Sequence, residues 1–280
     1  MKICVVQPRY PVAGTIDSAR ACVAWMQMQL EGLQPQGQDL IVLPEYANVP
    51  GINDVDTMRT FAEGVGRAFV AYVADSSARL SCLITMGGVF KTDDGWQNQV
   101  MVFDGGKTPK YLYNKVHLTD VESNGLGLIP GNKVGVFDWQ GIRLGFAVCF
   151  DMYFASYFEA LAKHKVDVIV CPGYQRSESG DRIRLISGAR ALDTGAYVVR
   201  SSYAMHTPQK GGHSLVASPD GNIVVDAADA VGMVAVDIDP HLKFVKPASH
   251  GQPDVEHRVL IEAHVRPEVY ATDGVSDRLS

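Results

Sequence analysis

The cysteine at position 149 occupies the place in this sequence that best suits a nucleophile. Cys149 follows the apolar run at residues 142–148 (IRLGFAV) and precedes Phe150 and Asp151, after which a helix is predicted. A strand-to-helix turn lifts a side chain out of the sheet and directs the first backbone N–H groups of the helix at the reacting centre. A free thiol is mostly protonated at neutral pH, so a base must lie nearby. On position alone, a buried and unreactive cysteine remains the alternative, and Cys171, which also ends a strand, is a second candidate to line a pocket.

Two charged residues have the chemistry to serve this thiol. Glu45 ends the apolar run at residues 39–45 (DLIVLPE), where a carboxylate is partly desolvated and becomes a stronger base. Lys115 lies in residues 111–116 (YLYNKV), where strand alternation puts it on one face with two tyrosines. An ammonium group in that position suits the stabilisation of an oxyanion. Taken singly, the pattern favours the other interpretation of each residue, in which Glu45 is an exposed carboxylate that caps the next segment and Lys115 is a solvated surface lysine.

Apolar strands that alternate with helices must hold these residues in place. In the first half, the sequence predicts strands at 2–8, 39–45 and 83–90, with helices at 16–31 and 54–79. In the second half, it predicts strands at 143–149, 167–173 and 196–203, with helices at 155–164 and 181–192. Strands that are apolar almost throughout are covered by helices, so the expected fold class is α/β with two similar βαβαβ halves.

Each half is predicted to close with a hairpin. Asp-Gly-Gly-Lys at 104–107 and Pro-Asp-Gly-Asn at 219–222 are turn sequences in which glycine takes a positive φ. The repeated order of elements predicts internal pseudo-symmetry, although two unrelated βαβαβ stretches would show the same pattern. Ligands of α/β sheets bind beyond the carboxyl ends of strands, and Glu45, Cys149 and Gly173 all lie at such ends.

Three segments together resemble a known family. DLIVLPEY, YNKVHL and GFAVCFD, in this order, are similar to the three motif regions of the nitrilase superfamily, the carbon–nitrogen hydrolases. The resemblance covers roughly residues 1–240 and places the family's Glu-Lys-Cys triad on Glu45, Lys115 and Cys149. It implies a four-layer α-β-β-α sandwich built from two pseudo-symmetric halves.

The resemblance also implies a covalent mechanism. Glu45 would accept the thiol proton while Cys149 attacks a carbonyl or nitrile carbon, and the oxyanion would be held by Lys115 and the Phe150 backbone N–H. Water would then hydrolyse the thioester. Many members of the family have a second glutamate after the lysine motif, and Glu122 matches it best, although SNGLGLI at 123–129 departs from the usual pattern.

The residues beside the nucleophile bear on the substrate. Cys-Phe-Asp at 149–151 is typical of amide-hydrolysing members, whereas nitrilases more often have Cys-Trp-Glu, so the resemblance favours a small linear amide or N-carbamoyl compound. The usual Arg-Phe-Pro-Glu is replaced by Tyr-Phe-Ala-Ser at 153–156, which removes a common handle for acidic substrates. Arg176 is either a carboxylate-binding residue or a surface residue. The expected substrate-binding residues are Tyr46, Phe150, Tyr153 and Tyr174.

Other functions remain open from the sequence. Nitrile hydrolysis and acyl transfer to an amine use the same scaffold, and a non-catalytic binding subunit would be expected to have lost part of the triad. No Gly-x-Ser-x-Gly motif points to a serine hydrolase. The eight histidines are dispersed, so neither a metal nor another cofactor is expected.

The composition and the two ends of the sequence bear on which partners the protein binds and on where in the cell it is expected. A formal net charge of −6 without a basic cluster disfavours nucleic acids and anionic membranes, and no apolar run is long enough to span a membrane. Five cysteines without paired spacing and a start unlike a signal peptide predict a cytoplasmic location. The polar tail at 241–280 follows a carbon–nitrogen hydrolase domain at 1–240. The family resemblance implies that such a tail packs at a subunit interface, which predicts a homodimer or larger assembly.

Overall fold

The computed structural model describes residues 1–207 and 209–270. Residues 271–280, the end of the predicted tail, lie outside the described residues. The chain separates into two compact units, Met1–Leu242 and Lys243–Ser280. The first unit contains every residue that the sequence predicts to act in catalysis or substrate binding.

The elements of the first unit alternate as the sequence predicts. Its strands are β1 (Lys2–Gln7), β2 (Leu40–Val42), β3 (Leu83–Thr92), β4 (Gly95–Asp104), β5 (Tyr111–Asn114), β6 (Gly135–Trp139), β7 (Ile142–Phe146), β8 (Val168–Pro172), β9 (Tyr197–Ser201), β10 (Leu215–Ala217), β11 (Ile223–Asp226) and β12 (Gly232–Asp237). Its α-helices are α1 (Ile16–Glu31), α2 (Val55–Phe61), α3 (Arg67–Leu80), α4 (Ala155–Lys163) and α5 (Gly180–Thr194).

The strands form two six-stranded sheets with the same plan. In the first sheet the order is β12-β1-β2-β3-β4-β5, with β1, β2 and β3 parallel and the outer pairs antiparallel. In the second sheet the order is β6-β7-β8-β9-β10-β11, with β7, β8 and β9 parallel and the outer pairs antiparallel. The predicted pseudo-symmetry of the two halves is therefore confirmed.

Strand alternation explains why these segments are apolar throughout. Successive side chains of a strand point to opposite faces of the sheet. On β1, Ile3 and Val5 join a core that contains residues of both sheets, whereas Cys4 and Val6 join a core that contains residues of α1 and α3. Both faces of the strand are thus buried, as in other helix-covered sheets.

Helices cover the outer faces of the two sheets. Residues of α1 and α3 pack over the first sheet, and residues of α4 and α5 pack over the second. Thr15 and Ser18 form a capping box that fixes the start of α1. The resulting layers are the α-β-β-α sandwich that the family resemblance implies.

The second unit has its own short elements. A hairpin of β13 (Val245–Pro247) and β14 (Asp254–Glu256) is followed by α6 (His257–His264) and α7 (Pro267–Tyr270). Within it, large hydrophobic side chains are exposed at Val245, Val259, Ile261, Val265 and Val269.

Candidate active site

Four residues predicted to act in catalysis meet at one cavity of the first unit. Glu45 follows β2, Lys115 follows β5, and Cys149 follows β7. Glu122 lies in a π-helical turn, Val121–Gly125. Their side chains line a cavity of about 240 Å³. Much of the remaining wall is apolar and is formed by Val49, Ile52, Val121 and Leu126.

The Lys115 ammonium group is the centre of this arrangement. Its Nζ lies 2.9 Å from Glu45 Oε1 and 2.8 Å from both carboxylate oxygens of Glu122. The lysine is only 1% exposed, so bulk water does not compete for these hydrogen bonds. Burial alone would lower the pKa of Lys115, but the charges of Glu45, Cys149 and Glu122 raise it, and the amine stays protonated.

Donors surround both carboxylate oxygens of Glu122. Besides Lys115, three residues donate hydrogen bonds to them. The donors are Tyr46 Oη at 3.0 Å, Asn98 Nδ2 at 2.8 Å, and the Thr119 N–H and hydroxyl at 2.9 Å each. Burial raises the pKa of this carboxyl group, but the Lys115 charge and the hydrogen bonds outweigh it, so the pKa of Glu122 is lowered. Glu122 is therefore suited to hold the lysine as a carboxylate rather than to exchange protons.

Glu45 differs from Glu122 because hydrogen-bond donors among the described residues reach only one of its two carboxylate oxygens. Its Oε1 accepts from Lys115 Nζ at 2.9 Å and from Asn98 Nδ2 at 2.7 Å. Its Oε2 is buried and has no hydrogen-bond partner among the residues that the structure describes. Burial raises the pKa of Glu45, and the opposing effects of Lys115 and Asn98 do not cancel that rise. A carboxylate with a raised pKa and a free oxygen is suited to accept and return a proton.

The backbone around Glu45 is fixed by its neighbours. The Tyr203 hydroxyl donates to the Glu45 carbonyl oxygen at 2.9 Å. Gly87 on β3 allows the close approach of this segment, because a Cβ at that position would lie 2.7 Å from the Glu45 Cα. These contacts hold the Glu45 backbone in place against β3.

The nucleophile lies in a strained turn. Cys149 has a φ of 45°, which is uncommon for a residue other than glycine, and it begins the 3₁₀ helix Cys149–Tyr153. Burial and the Glu45 charge raise the pKa of the thiol well above its ordinary value, against the opposite effects of Lys115 and the Tyr174 backbone N–H. The thiol is therefore neutral at rest, and it needs a base to become a nucleophile.

Asp151 connects the nucleophile turn to the segment that contains Lys115. Its buried carboxylate accepts hydrogen bonds from the Val148 N–H and the Tyr113 hydroxyl at 2.8 Å each, and from the His117 N–H at 3.0 Å. Because Tyr113 and His117 flank Lys115 in sequence, these bonds fix the position of the sulfur relative to the ammonium group.

Asn98 and Asp151 are site residues that the sequence prediction missed. A signal for Asn98 is present in the sequence, because Gln97, Asn98 and Gln99 are three consecutive polar residues in an otherwise apolar strand, and all three are buried. Buried amides of this kind need partners, and the two glutamates supply them to Asn98.

Of the four residues predicted to bind substrate, Tyr46 and Tyr174 line the cavity, whereas Phe150 and Tyr153 do not. Residues three apart share a face of a 3₁₀ helix, so Phe150 and Tyr153 lie together, with ring centroids 5.7 Å apart. Tyr153 is also 38% exposed. The structure therefore does not bring the Phe150 and Tyr153 side chains to this cavity, although the Phe150 backbone N–H lies directly after the nucleophile.

Arg176 lies at the mouth of the same cavity. Its guanidinium carbon is 4.8 Å from the centre of the Tyr174 ring, and its Nη1 donates to the Tyr10 hydroxyl at 3.3 Å. The side chain is exposed, and no acidic partner lies within ion-pair distance among residues 1–207 and 209–270. Cys171, by contrast, is fully buried and does not line the cavity.

Within the described residues, no helix combines the length and the apolar character needed to cross a bilayer. The same part of the chain brings no three His, Cys, Asp or Glu side chains into a group that could hold a metal ion.

A family model and known proteins of similar sequence both match most of the chain. The family model described as carbon-nitrogen hydrolase matches residues 2–243. Omega-amidase NIT2 of Danio rerio is 25% identical over 254 residues, which are 86% of this chain and 88% of that protein.

Solved structures share the fold. A mutant of the Nesterenkonia AN1 amidase from the nitrilase superfamily matches with a TM-score of 0.74 and 16% identity, over 96% of this chain and 95% of that chain. A second mutant of that amidase matches with a TM-score of 0.71 and 17% identity, over 96% and 95% of the two chains, and it carries the acetamide moiety of fluoroacetamide covalently at its active site cysteine. Because the family model extends through the whole sandwich, the chain belongs to the carbon–nitrogen hydrolase family.

Proposed function

We propose that Cys149 is the nucleophile of this hydrolase, Glu45 its general acid and base, and Lys115 its oxyanion-stabilising cation. The observation that carries this assignment is the buried Lys115 ammonium between Glu45 and Glu122, in the cavity that Cys149 also lines. The different environments of the two glutamates support separate roles for them. Glu122 holds the lysine in place and does not exchange protons.

The proposed acylation step gives each of these groups a defined role. Glu45 takes the thiol proton, and the sulfur of Cys149 forms a bond to the amide carbon. The negative charge that develops on the carbonyl oxygen is stabilised by Lys115 and by the Phe150 N–H. Glu45 then returns its proton to the amide nitrogen, the carbon–nitrogen bond breaks, and ammonia or an amine leaves a thioester behind.

Deacylation repeats the same chemistry with water. Glu45 takes a proton from water as the oxygen attacks the thioester carbon, and the same two donors stabilise the second oxyanion. The carbon–sulfur bond then breaks, the carboxylic acid is released, and the sulfur regains its proton from Glu45. Lys115 suits both steps because its ammonium group stabilises the oxyanion without transferring a proton. Its raised pKa keeps it protonated.

The cavity supports a short linear amide or N-carbamoyl compound as the substrate. Its volume of about 240 Å³ is small, below the roughly 300–1,000 Å³ of pockets that bind drug-sized ligands. The similarity to omega-amidases supports an amide at the end of a short chain. Arg176 at the mouth is placed to meet a carboxylate at the other end of such a molecule.

Product release from a substrate panel tests this function. We expect ammonia from short amides, with little release from nitriles of the same chain length. Ammonia release from nitriles at the rate of the amides would instead favour a nitrilase. If an added amine diverts the acyl group to a new amide, the enzyme is an acyltransferase on the same scaffold. No turnover of any amide, N-carbamoyl compound or nitrile would point to a binding subunit.

Replacing Arg176 with methionine should lower kcat/KM for amides that carry a carboxylate, and it should leave kcat/KM for neutral amides nearly unchanged. We expect the kcat/KM for succinamate to fall roughly tenfold, because an exposed charge-assisted contact is lost. The kcat/KM for 4-methylpentanamide, in which an isopropyl group replaces the carboxylate, should stay within about twofold. Equal effects on both substrates would argue against a carboxylate at this position. Arg67→Met, which removes the same charge from an exposed site on α3, is the matched control.

We also propose a cytoplasmic location and a homo-oligomeric state. The location is supported by the five cysteines, all of which are free thiols. An interface formed by the tail is supported by the exposed hydrophobic side chains between Val245 and Val269. Sedimentation of the purified chain as a monomer at micromolar concentration would contradict the assembly.

A further inference from the structure

Arg200 is a fully buried cation that pairs with neutral oxygens. Its Nε and Nη2 donate to Gln175 Oε1 at 3.0 and 2.7 Å, and its Nη1 donates to the carbonyl oxygens of Gly212 and His213 at 2.5 and 2.8 Å. The side chain is 0% exposed, and no hydrogen bond or ion pair to a carboxylate is found for it among the described residues. Burying a guanidinium without an anionic partner costs free energy. Because Arg200 has no such partner in the described part of the chain, ion pairing does not explain why a buried arginine occupies this position.

The glutamine that Arg200 holds reaches the nucleophile. Gln175 Nε2 donates to the Cys149 carbonyl oxygen at 3.4 Å. Gln175 is itself 8% exposed, and Arg200 fixes its orientation because two guanidinium N–H groups converge on its oxygen. The amide N–H groups of the glutamine therefore point away from Arg200, towards the Cys149 turn.

The Cys149 carbonyl belongs to the same peptide group as the Phe150 N–H. A trans peptide is planar, with its C=O and N–H pointing in opposite directions, so a contact that fixes the oxygen also fixes the direction of the N–H. This peptide needs such support, because Cys149 has a φ of 45° and the Phe150 N–H lies in the first turn of a 3₁₀ helix, where N–H groups lack partners within the helix.

We infer that Arg200 and Gln175 are positioning residues that hold the Cys149–Phe150 peptide with its N–H directed at the oxyanion. The inference rests on the proposed function, in which that N–H stabilises the tetrahedral intermediates. The buried guanidinium polarises the glutamine amide, the amide polarises the peptide carbonyl, and both effects increase the positive character of the Phe150 N–H.

Two substitutions of Gln175 test this role. Gln175→Glu keeps an acceptor for Arg200 but cannot donate to the Cys149 carbonyl when ionised, and Gln175→Met removes both contacts at similar volume. We expect kcat for a short amide to fall about 10- to 100-fold in both variants, with KM within about threefold of the wild type. Gln209→Glu, which adds the same charge at an exposed position, should keep the wild-type kcat.

Alkylation of Cys149 by iodoacetamide distinguishes a loss of oxyanion stabilisation from a change in the reactivity of the thiol or a disturbed fold. Displacement of iodide by sulfur forms no oxyanion, so the alkylation rate should stay within about threefold of the wild type while kcat falls. Unchanged kcat would overturn the inference, and so would a parallel loss of kcat and alkylation, which would mean an effect on the thiol or the fold. Arg200→Lys keeps the charge but cannot place two N–H groups on the Gln175 oxygen. It should likewise lower kcat while the alkylation rate stays close to that of the wild type. A wild-type enzyme without amide turnover would instead refute the proposed function.

Discussion

Replacing Cys149 with alanine should lower kcat for a short amide by at least about 10⁴-fold, because no other group in the cavity can form the acyl intermediate. The fold should be retained, since alanine is smaller and the turn is held by the bonds of Asp151 to Val148 and Tyr113. Ammonia release under saturating substrate, with thermal unfolding measured in parallel, checks both expectations.

The matched control for this change is another cysteine. Cys82→Ala removes a buried thiol from the core that contains α1 and α3, away from the cavity. It should keep the wild-type kcat and cost about 1 kcal/mol of unfolding free energy through the small space it leaves. Retention of wild-type turnover by Cys149→Ala would remove the basis of the covalent mechanism.

Replacing Glu45 with glutamine should have the second largest effect. Glutamine keeps an oxygen for the Lys115 and Asn98 hydrogen bonds but cannot take the thiol proton. Because the pKa of the Cys149 thiol is raised, almost no thiolate forms without the base. We expect kcat to fall about 10²- to 10⁴-fold, the range of general acid–base catalysis. Glu63→Gln, at an exposed ion pair with Lys91, should be neutral.

The pH profile gives an independent test of the same residue. Burial raises the pKa of Glu45 above its ordinary value of 4.5. The carboxylate is the active form, so kcat/KM should fall as pH decreases through this raised pKa, and the acid limb should lie above pH 4.5. An acid limb that persists unchanged in Glu45→Gln would assign it to another group.

The layer arrangement and the meeting of Glu45, Lys115 and Cys149 at one cavity could be predicted because both depend on short stretches of sequence. A strand buried on both faces must be apolar at every position, so LIV at Leu40–Val42 identifies a central strand without knowledge of its neighbours. Glu45 and Cys149 lie three residues beyond the ends of β2 and β7, Lys115 directly follows the edge strand β5, and the family resemblance supplied the link between them. Strand ends were less accurate: the predicted strand 143–149 ends at Phe146, because Cys149 belongs to the 3₁₀ helix.

The contacts that the supporting residues make are not encoded by a local pattern, even at Asn98, where three consecutive polar residues in a strand mark the position. Asn98 reaches both glutamates because β4 pairs with β3 and β5, and Asp151 reaches Tyr113 across the two halves of the sandwich. The contact of Arg200 with Gln175 likewise joins a strand to a distant loop. The direction of the Phe150 and Tyr153 side chains depends on the turn type after Cys149, and a 3₁₀ helix places them differently from an α-helix.

Covalent labelling by an electrophilic amide tests the central claim most directly. 2-Fluoroacetamide is a small amide whose fluoride can be displaced by a thiolate, which leaves a stable thioether. After incubation with the enzyme, intact-mass measurement and peptide mapping should find one carbamoylmethyl group, on Cys149, in step with the loss of amide turnover. Glu45→Gln should label more slowly, and Cys149→Ala should not label. Complete loss of turnover with Cys149 unmodified, or with the group on another residue, would contradict the assignment of Cys149 as the nucleophile.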